Sequence, residues 1–290
     1  MGFIFVEKDQ KRAQTLRDVL NDHFPQIPEK MHYEVLDAEF APTLESILDK
    51  LEKDGVNLAP TFAFLDHFGF SGLPMRLIGR MMNYNKCEVL ITFMSGFVKR
   101  FTDTLHESSL DELFATDNWR KIRDMKDPKD KKEEFLLDIY VQQLKNVGNA
   151  KYILSFEMIN RRNQTIYYLI YGTKHLKGLE VMKKAMWKVD RRGTYQFSDL
   201  LGAEQKFILD YSEESYWMPI AADRIFSKFK GQTVKIDEIY QFVIAETPYI
   251  FRKGILKCLE EMTPSKILNV SGRKKKFTYP DQCSIEFSQV

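Results

Sequence analysis

The sequence lacks the features that would place it in a membrane or outside the cell. It has three cysteines (Cys87, Cys258 and Cys283), an odd number without Cys-x-x-Cys spacing, which argues against a disulfide framework or a zinc site. No apolar run approaches the roughly 20 residues of a membrane span. Charge also follows Met1 too early for a signal peptide. We therefore expect a cytoplasmic protein that does not associate with membranes.

The chain also lacks an excess of charge of either sign and a histidine motif for metal. Lys and Arg number 43 against 41 Asp and Glu, so any basic surface must be local. The five histidines form no His-Glu-x-x-His pattern, and no metal site is expected. Hydrophobic residues at 44% and aromatics at 13% predict a well-filled globular core in one large domain or two smaller ones.

Apolar runs and helical spacings alternate four times in the first hundred or so residues. The predicted strands are residues 3–6, 31–36, 61–65 and 87–93, and amphipathic helices follow the first three, with Asp9 as the cap of the first helix. Most of these strands are continuous apolar runs, which is typical of a buried parallel sheet with helices on both faces. The sequence thus predicts an α/β fold with a Rossmann-like sheet.

Two longer β-rich runs, at residues 152–159 and 165–171, flank a short polar segment and predict an antiparallel hairpin. We interpret residues 1–189 as one α/β domain and residues 190–215 as a connector. Residues 216–290 then form a second domain.

The last of these domains has a different pattern. Helices are predicted at 221–229, at 233–245 with Thr233 as the cap, and at 249–262. A hairpin of residues 267–270 and 273–279 follows. Three helices and a hairpin in this order are typical of a winged helix-turn-helix domain.

Asp66-His67-Phe68-Gly69 follows the third strand, at the position where open α/β sheets bind ligands. Asp66 and Phe68 are therefore candidate site residues, and His67 is a candidate base. The alternative is structural: Asp66 caps the next helix, Phe68 belongs to the core and His67 is a turn residue.

A strand–helix series that ends in a hairpin resembles the class I S-adenosylmethionine-dependent methyltransferases. The resemblance implies that Glu7 holds the ribose hydroxyls of the cofactor and that Asp37 approaches its adenine. It also implies that Asp66 accepts hydrogen bonds from a target amino group while Phe68 stacks on a flipped base.

The chain resembles the three-Cys-motif partner family more closely. The resemblance rests on Phe5-Val6-Glu7-Lys8, on the Asp66 turn, and on a helix with Gly178, Met182, Lys183 and Met186. It implies a methyltransferase-like protein, of prokaryotic or phage type, that acts with a three-Cys-motif partner. The family's cysteines belong to that partner, and the resemblance does not imply a substrate.

One part of the family pattern is absent from this sequence. The family's first strand and its Gly-rich turn would precede Met1, and the chain contains no Gly-rich substitute. Three explanations stay open: a truncated product, a sheet that closes with altered pairing, or a strand supplied by a partner. The resemblance implies S-adenosylmethionine as cofactor and the absent turn argues against it. The alternative is a scaffold that binds DNA without a cofactor.

The predicted winged helix concentrates basic residues. A helix and a basic wing can contact a groove and its phosphates together, although such domains also bind proteins. The predicted nucleic-acid contacts are Arg252, Lys253, Lys257, Arg273, Lys274, Lys275 and Lys276.

Overall fold

The structure is a computed structural model that describes residues 1–67, 71–102, 104–126, 129–160, 162, 164–190, 195–198 and 214–289. It is a mixed α/β protein, which confirms the predicted class. The chain divides into two compact units. The first comprises Met1–Cys87 and Met94–Ala150, and the second comprises Glu88–Phe93 and the chain from Lys151 onward.

Ten strands and ten α-helices are defined in the described residues. The strands are β1 (Gly2–Glu7), β2 (His32–Asp37), β3 (Thr61–Leu65), β4 (Cys87–Phe93), β5 (Tyr152–Ile159), β6 (Thr165–Thr173), β7 (Gln196–Ser198), β8 (Thr233–Lys235), β9 (Ile267–Ser271) and β10 (Ser284–Phe287). The helices are α1 (Gln10–His23), α2 (Phe40–Asp54), α3 (Met75–Asn83), α4 (Ser95–Val98), α5 (Glu107–Phe114), α6 (Lys129–Asn146), α7 (Leu176–Val189), α8 (Glu214–Phe229), α9 (Ile236–Glu246) and α10 (Gly254–Met262).

In the first unit, β1 and β2 pair in parallel, with the Cα atom of Gly2 opposite that of His32 and Glu7 opposite Asp37. The predicted parallel pairing of these strands is confirmed. They form a two-stranded sheet of their own, so a single sheet with all four predicted strands is not observed among the described residues. The predicted cap is also confirmed, because the Asp9 side chain accepts a hydrogen bond from the amide of Arg12 at the start of α1.

Close helix packing builds the rest of the first unit. Gly79 on α3 lies so near α6 that a Cβ atom there would be 2.3 Å from the carbonyl oxygen of Val147. Glycine is therefore needed where the two backbones meet. Gly55 ends α2 with a φ of 64°, in the left-handed conformation that favours glycine.

The second unit contains a mixed sheet in which β6 lies between β4 and β5, antiparallel to both, and β7 pairs in parallel with β5. The β5–β6 pairing confirms the predicted antiparallel hairpin. Phe156, Tyr171 and Met186 of α7 form a small core against this sheet.

The C-terminal part of the second unit is three helices, α8 to α10, and a sheet in the order β8–β10–β9. Its core is rich in aromatic residues. Trp217 stacks on Tyr249 with 5.8 Å between ring centroids, and Trp187 of α7 contacts both rings. These residues join α7 to the C-terminal helices within this unit.

Two predicted elements in this part are wrong. Thr233 does not cap a helix but begins β8, because Val234 turns inward and pairs with Ile285 of β10. Residues 273–279 do not form the second hairpin strand. That strand is β10, and residues 272–283 form a long loop because Tyr279 is buried and anchored to α10.

The third predicted helix is shorter than expected. It begins at Gly254, since Tyr249 and Ile250 are buried in the core in a non-helical segment after Pro248. Arg252 and Lys253 therefore precede α10 instead of lying within it.

Candidate functional site

A basic cleft lies in the second unit, between the first turn of α10 and the 272–283 loop. Its volume is about 580 Å³. Lys253 and Lys257 line it from the helix side, and Lys274 and Lys275 line it from the loop. Phe277 adds an aromatic ring, and none of the described lining residues is acidic. We call these four lysines and Phe277 the lysine cleft, and its charge suits an anionic ligand.

Local backbone geometry shapes the loop side of the lysine cleft. Gly272 leaves β9 with a φ of 78°, and a Cβ atom there would be 3.2 Å from the carbonyl oxygen of Gln282. Phe277 also has a positive φ of 60°. The Thr278 hydroxyl donates to the carbonyl of Lys275 and closes the turn between them. The sequence Lys274–Thr278 is thus folded into a compact turn.

A buried ion pair fastens the same loop to α10. The Arg273 guanidinium donates two hydrogen bonds to the Glu260 carboxylate, at 2.7 and 2.8 Å. The Tyr279 hydroxyl contacts that carboxylate and lies 3.1 Å from the carbonyl oxygen of Leu256. The side chains of Arg273 and Glu260 are only 17% and 8% exposed. The hydrogen bonds from Arg273 lower the pKa of Glu260, against the effect of its burial, and Tyr279 adds to the lowering.

The structure brings together four of the seven predicted nucleic-acid contacts. Arg252, Arg273 and Lys276 do not line the cleft. Arg273 serves the Glu260 pair, Arg252 pairs with Glu214, and the Lys276 ammonium lies 4.9 Å from the centre of the Phe277 ring.

Two of the cleft lysines have exposed acidic neighbours. The Lys253 ammonium is 2.7 Å from the Asp281 carboxylate, and the Lys257 ammonium is 3.6 Å from the carboxylate of Glu261 on the next turn of α10. Exposed pairs of this kind contribute little to stability. The lysines can therefore exchange these partners for phosphate oxygens at small cost.

The predicted methyltransferase residues lie in the first unit. Glu7 and Asp37 end adjacent parallel strands, and their Cα atoms are direct partners. One carboxylate oxygen of Glu7 accepts a hydrogen bond of 2.8 Å from the amide of Asp9. Asp66 follows β3 and is exposed, and α3 begins after Pro74, so Asp66 is not its cap.

His67 follows Asp66 in the first unit. Burial lowers the pKa of His67, while the Asp66 charge and a hydrogen bond with Leu65 oppose that effect. The predicted residues Phe68 and Gly69 lie outside the described residues.

These first-unit residues fit only part of an S-adenosylmethionine site. The Glu7 and Asp37 carboxylates have the chemistry to accept hydrogen bonds from ribose hydroxyls. The turns after their strands, however, begin Lys8-Asp9 and Ala38-Glu39, without a glycine that would let backbone approach a cofactor closely. No reaction step through the cofactor follows from this geometry.

Sequence reasoning missed Phe277 and Thr278 as members of the site. The sequence predicts a strand at these two residues, and their place in a cleft depends on the turn that Arg273 and Tyr279 anchor. The available signal was the aromatic residue directly after four basic residues, a combination suited to contacts with phosphates and bases.

Comparison with known proteins adds no assignment: no family model and no curated protein matches the chain. Within the described ranges, no cluster of three or more His, Cys, Asp or Glu side chains could hold a metal ion. Among the helices that the structure describes, none is both long and apolar enough to cross a bilayer.

Proposed function

We propose that this protein binds nucleic acid through the lysine cleft. In this proposal the C-terminal part of the second unit is a winged helix, and the α/β body is methyltransferase-like and works with a partner protein. The observation that carries the proposal is the convergence of Lys253, Lys257, Lys274 and Lys275 on one cleft beside an aromatic ring.

The two walls of the lysine cleft supply different contacts. The α10 wall presents Lys253, directly before the helix, and Lys257 in its first turn. The loop wall presents Lys274, Lys275 and Phe277. Lysines on both walls suit phosphates along a backbone, and the ring suits a sugar or base. Arg273 shapes the loop wall through Glu260 and is not itself proposed as a contact.

The proposal is tested by measuring binding of a labelled DNA duplex by fluorescence anisotropy over a range of salt concentrations. A double variant, Lys274→Ala with Lys275→Ala, should bind more weakly to every duplex sequence. Its log–log salt slope should fall by about 1 for each lysine removed. The reason is that each phosphate contact releases a counterion on binding.

A control variant changes the net charge by the same amount at two lysines outside the lysine cleft. Lys11→Ala with Lys50→Ala removes two exposed lysines from α1 and α2 of the first unit. It should bind as the parent protein does. If the two double variants lose affinity equally, the binding reflects net charge and the assignment of the lysine cleft is wrong.

Binding of S-adenosylmethionine is a second candidate function, favoured by the adjacency of Glu7 and Asp37 at one sheet end. Isothermal titration with the cofactor is the test. A heat of binding that the variant Asp37→Asn abolishes would support this function. If no heat is observed at high protein concentration, the chain does not bind the cofactor and the α/β body is a scaffold.

The family resemblance also implies a three-Cys-motif protein as partner, and copurification with such a protein tests that role.

A further inference from the structure

The edge of β1 that faces away from β2 is open in the described part of the chain. The amide of Ala38 donates to the carbonyl of Glu7 at 3.1 Å. The backbone N–H and C=O groups of Glu7, and of every second residue before it, therefore point toward β2. Gly2, Ile4 and Val6 therefore direct their N–H and C=O groups toward the other edge. No described strand pairs there. Such a row of backbone donors and acceptors is a template for another strand.

Apolar side chains in the same unit are exposed to an unusual degree for a parallel sheet. Phe3 and Ile4 of β1 point to opposite faces and are 41% and 59% exposed. Parallel strands are almost always covered on both faces. Exposure of Phe3 and Ile4 on the two faces of β1 therefore leaves apolar surface that another segment can cover.

One face of β1 and β2 borders a groove. Ile4 and Leu36 line it from the sheet and Ile47 lines it from α2, and its volume is about 830 Å³. Glu34 and Glu39 are also among its lining residues. The floor is thus apolar and its charged lining residues are acidic, which suits an apolar side chain flanked by cations.

The charge around this groove is negative. Glu34 and Glu39 are its charged lining residues, and none of its described lining residues is basic. Lys8 lies 2.6 Å from the Glu39 carboxylate and neutralises one of these two charges. A basic segment complements the remaining charge better than another copy of the same acidic edge would.

We propose that β1 is a docking edge for a partner polypeptide. The partner segment is extended, has apolar side chains at alternate positions and carries Lys or Arg beside them. Its backbone bonds to Gly2, Ile4 and Val6, and one row of its side chains enters the groove. This surface is in the first unit and is independent of the lysine cleft, so it extends the proposed function to a second kind of partner.

The probe is a fluorescent peptide in which valine and threonine alternate between terminal lysines, and binding to the full chain is followed by anisotropy. Val6→Pro removes the edge N–H and places the proline ring where the new strand would pair. Val6→Ala keeps the N–H and is the matched control. We expect Val6→Pro to weaken binding by about tenfold or more and Val6→Ala to weaken it much less.

A second measurement keeps the test independent of variant folding. The same peptide with an N-methyl group at every residue has lost the backbone donors of both edges, and it should not bind the parent protein. Failure of the parent to bind the unmodified peptide, or equal binding of both peptides, would overturn the proposal. Self-association of the parent that Val6→Pro abolishes would also overturn it, because the occupant would then be a second copy.

Discussion

At the scale of single residues, the α7 motif that supported the family resemblance has packing roles. Gly178 lies against the sheet of the second unit, and a Cβ atom there would be 2.0 Å from Glu88 Oε1. Met182 and Met186 contribute to the small core beneath β5 and β6. Lys183 is 1% exposed, and its ammonium donates to three backbone carbonyls at the end of α9, at 3.2, 3.0 and 2.7 Å.

Gly178→Ala should destabilise the protein even though alanine favours a helix by up to about 1 kcal/mol over glycine. The new methyl group would also meet the Tyr171 hydroxyl at 2.7 Å and Thr173 Oγ1 at 2.8 Å, both on buried side chains. We expect a loss of about 1–3 kcal/mol in the free energy of unfolding, measured by urea denaturation. Gly254→Ala, which would meet only the flexible tip of Met218, is the control and should be nearly neutral.

Lys183 predicts a dependence of stability on pH. Burial lowers the pKa of Lys183 to about 7, against about 10.4 in an unfolded chain. Between these values the native state binds fewer protons than the unfolded state. The contribution of Lys183 to the free energy of unfolding therefore rises with pH, by up to about 1.4 kcal/mol per pH unit.

The measurement is the difference in free energy of unfolding between the parent and Lys183→Met, taken at several pH values from neutral to alkaline. The parent should become more stable relative to Lys183→Met as pH rises. A flat difference would show that Lys183 titrates normally in the fold, and a falling one would show that the carbonyls hold its charged form.

At the scale of elements, the loop between β9 and β10 determines the form of the lysine cleft. Residues 273–279 have the composition of a strand, yet they fold as a turn because Arg273 and Tyr279 are both held by Glu260 of α10. Glu180 of α7 is likewise a carboxylate that hydrogen bonds from surrounding side chains hold in place. Burial raises its pKa, but hydrogen bonds from Lys177, Lys184 and Tyr240 outweigh that and lower it to about 2.

The Arg273–Glu260 pair is suited to a double-mutant cycle. Arg273→Met should cost about 1–3 kcal/mol of stability, because it leaves the Glu260 carboxylate poorly exposed and without its main partner. Adding Glu260→Met should recover part of that loss. If the two substitutions instead lower the stability additively, without recovery, the two side chains are not coupled. Once folded, the Arg273→Met protein should also keep more of its DNA affinity than the Lys274 and Lys275 double variant.

At the scale of the whole molecule, the cysteines behave as the composition predicts. All three are free thiols, with Cys87 and Cys283 buried and Cys258 partly buried. Burial raises the pKa of Cys258, and nearby Glu261 and Asp223 add to that effect. The fold therefore does not depend on oxidation.

Thiol labelling tests this arrangement. The native protein should react slowly and at Cys258 alone, since the other two thiols are buried, and the unfolded protein should react at all three cysteines. The midpoint of urea unfolding should be the same with and without a reductant. A lower midpoint in the reductant would reveal a disulfide and contradict the structure.

Much of the fold follows from local sequence. The β1–α1–β2 unit, the Asp9 cap, the Gly55 helix end and the β5–β6 hairpin all come from short-range patterns of apolar spacing and turn chemistry. They were predictable because each is stabilised mainly by residues near in sequence. The division into domains at residues 189 and 216 stays a prediction.

The sequence by itself determined where the charges and apolar runs lie: a basic cluster near the C-terminus, carboxylates at the ends of β1 and β2, and a motif on α7. Only the tertiary structure decided their roles. It placed Lys274 and Lys275 in a cleft but turned Arg273 onto Glu260, and it buried Lys183 against carbonyls some sixty residues away. The physical reason is that a cation's role depends on which acceptors reach it, and here those acceptors come from elements remote in the chain.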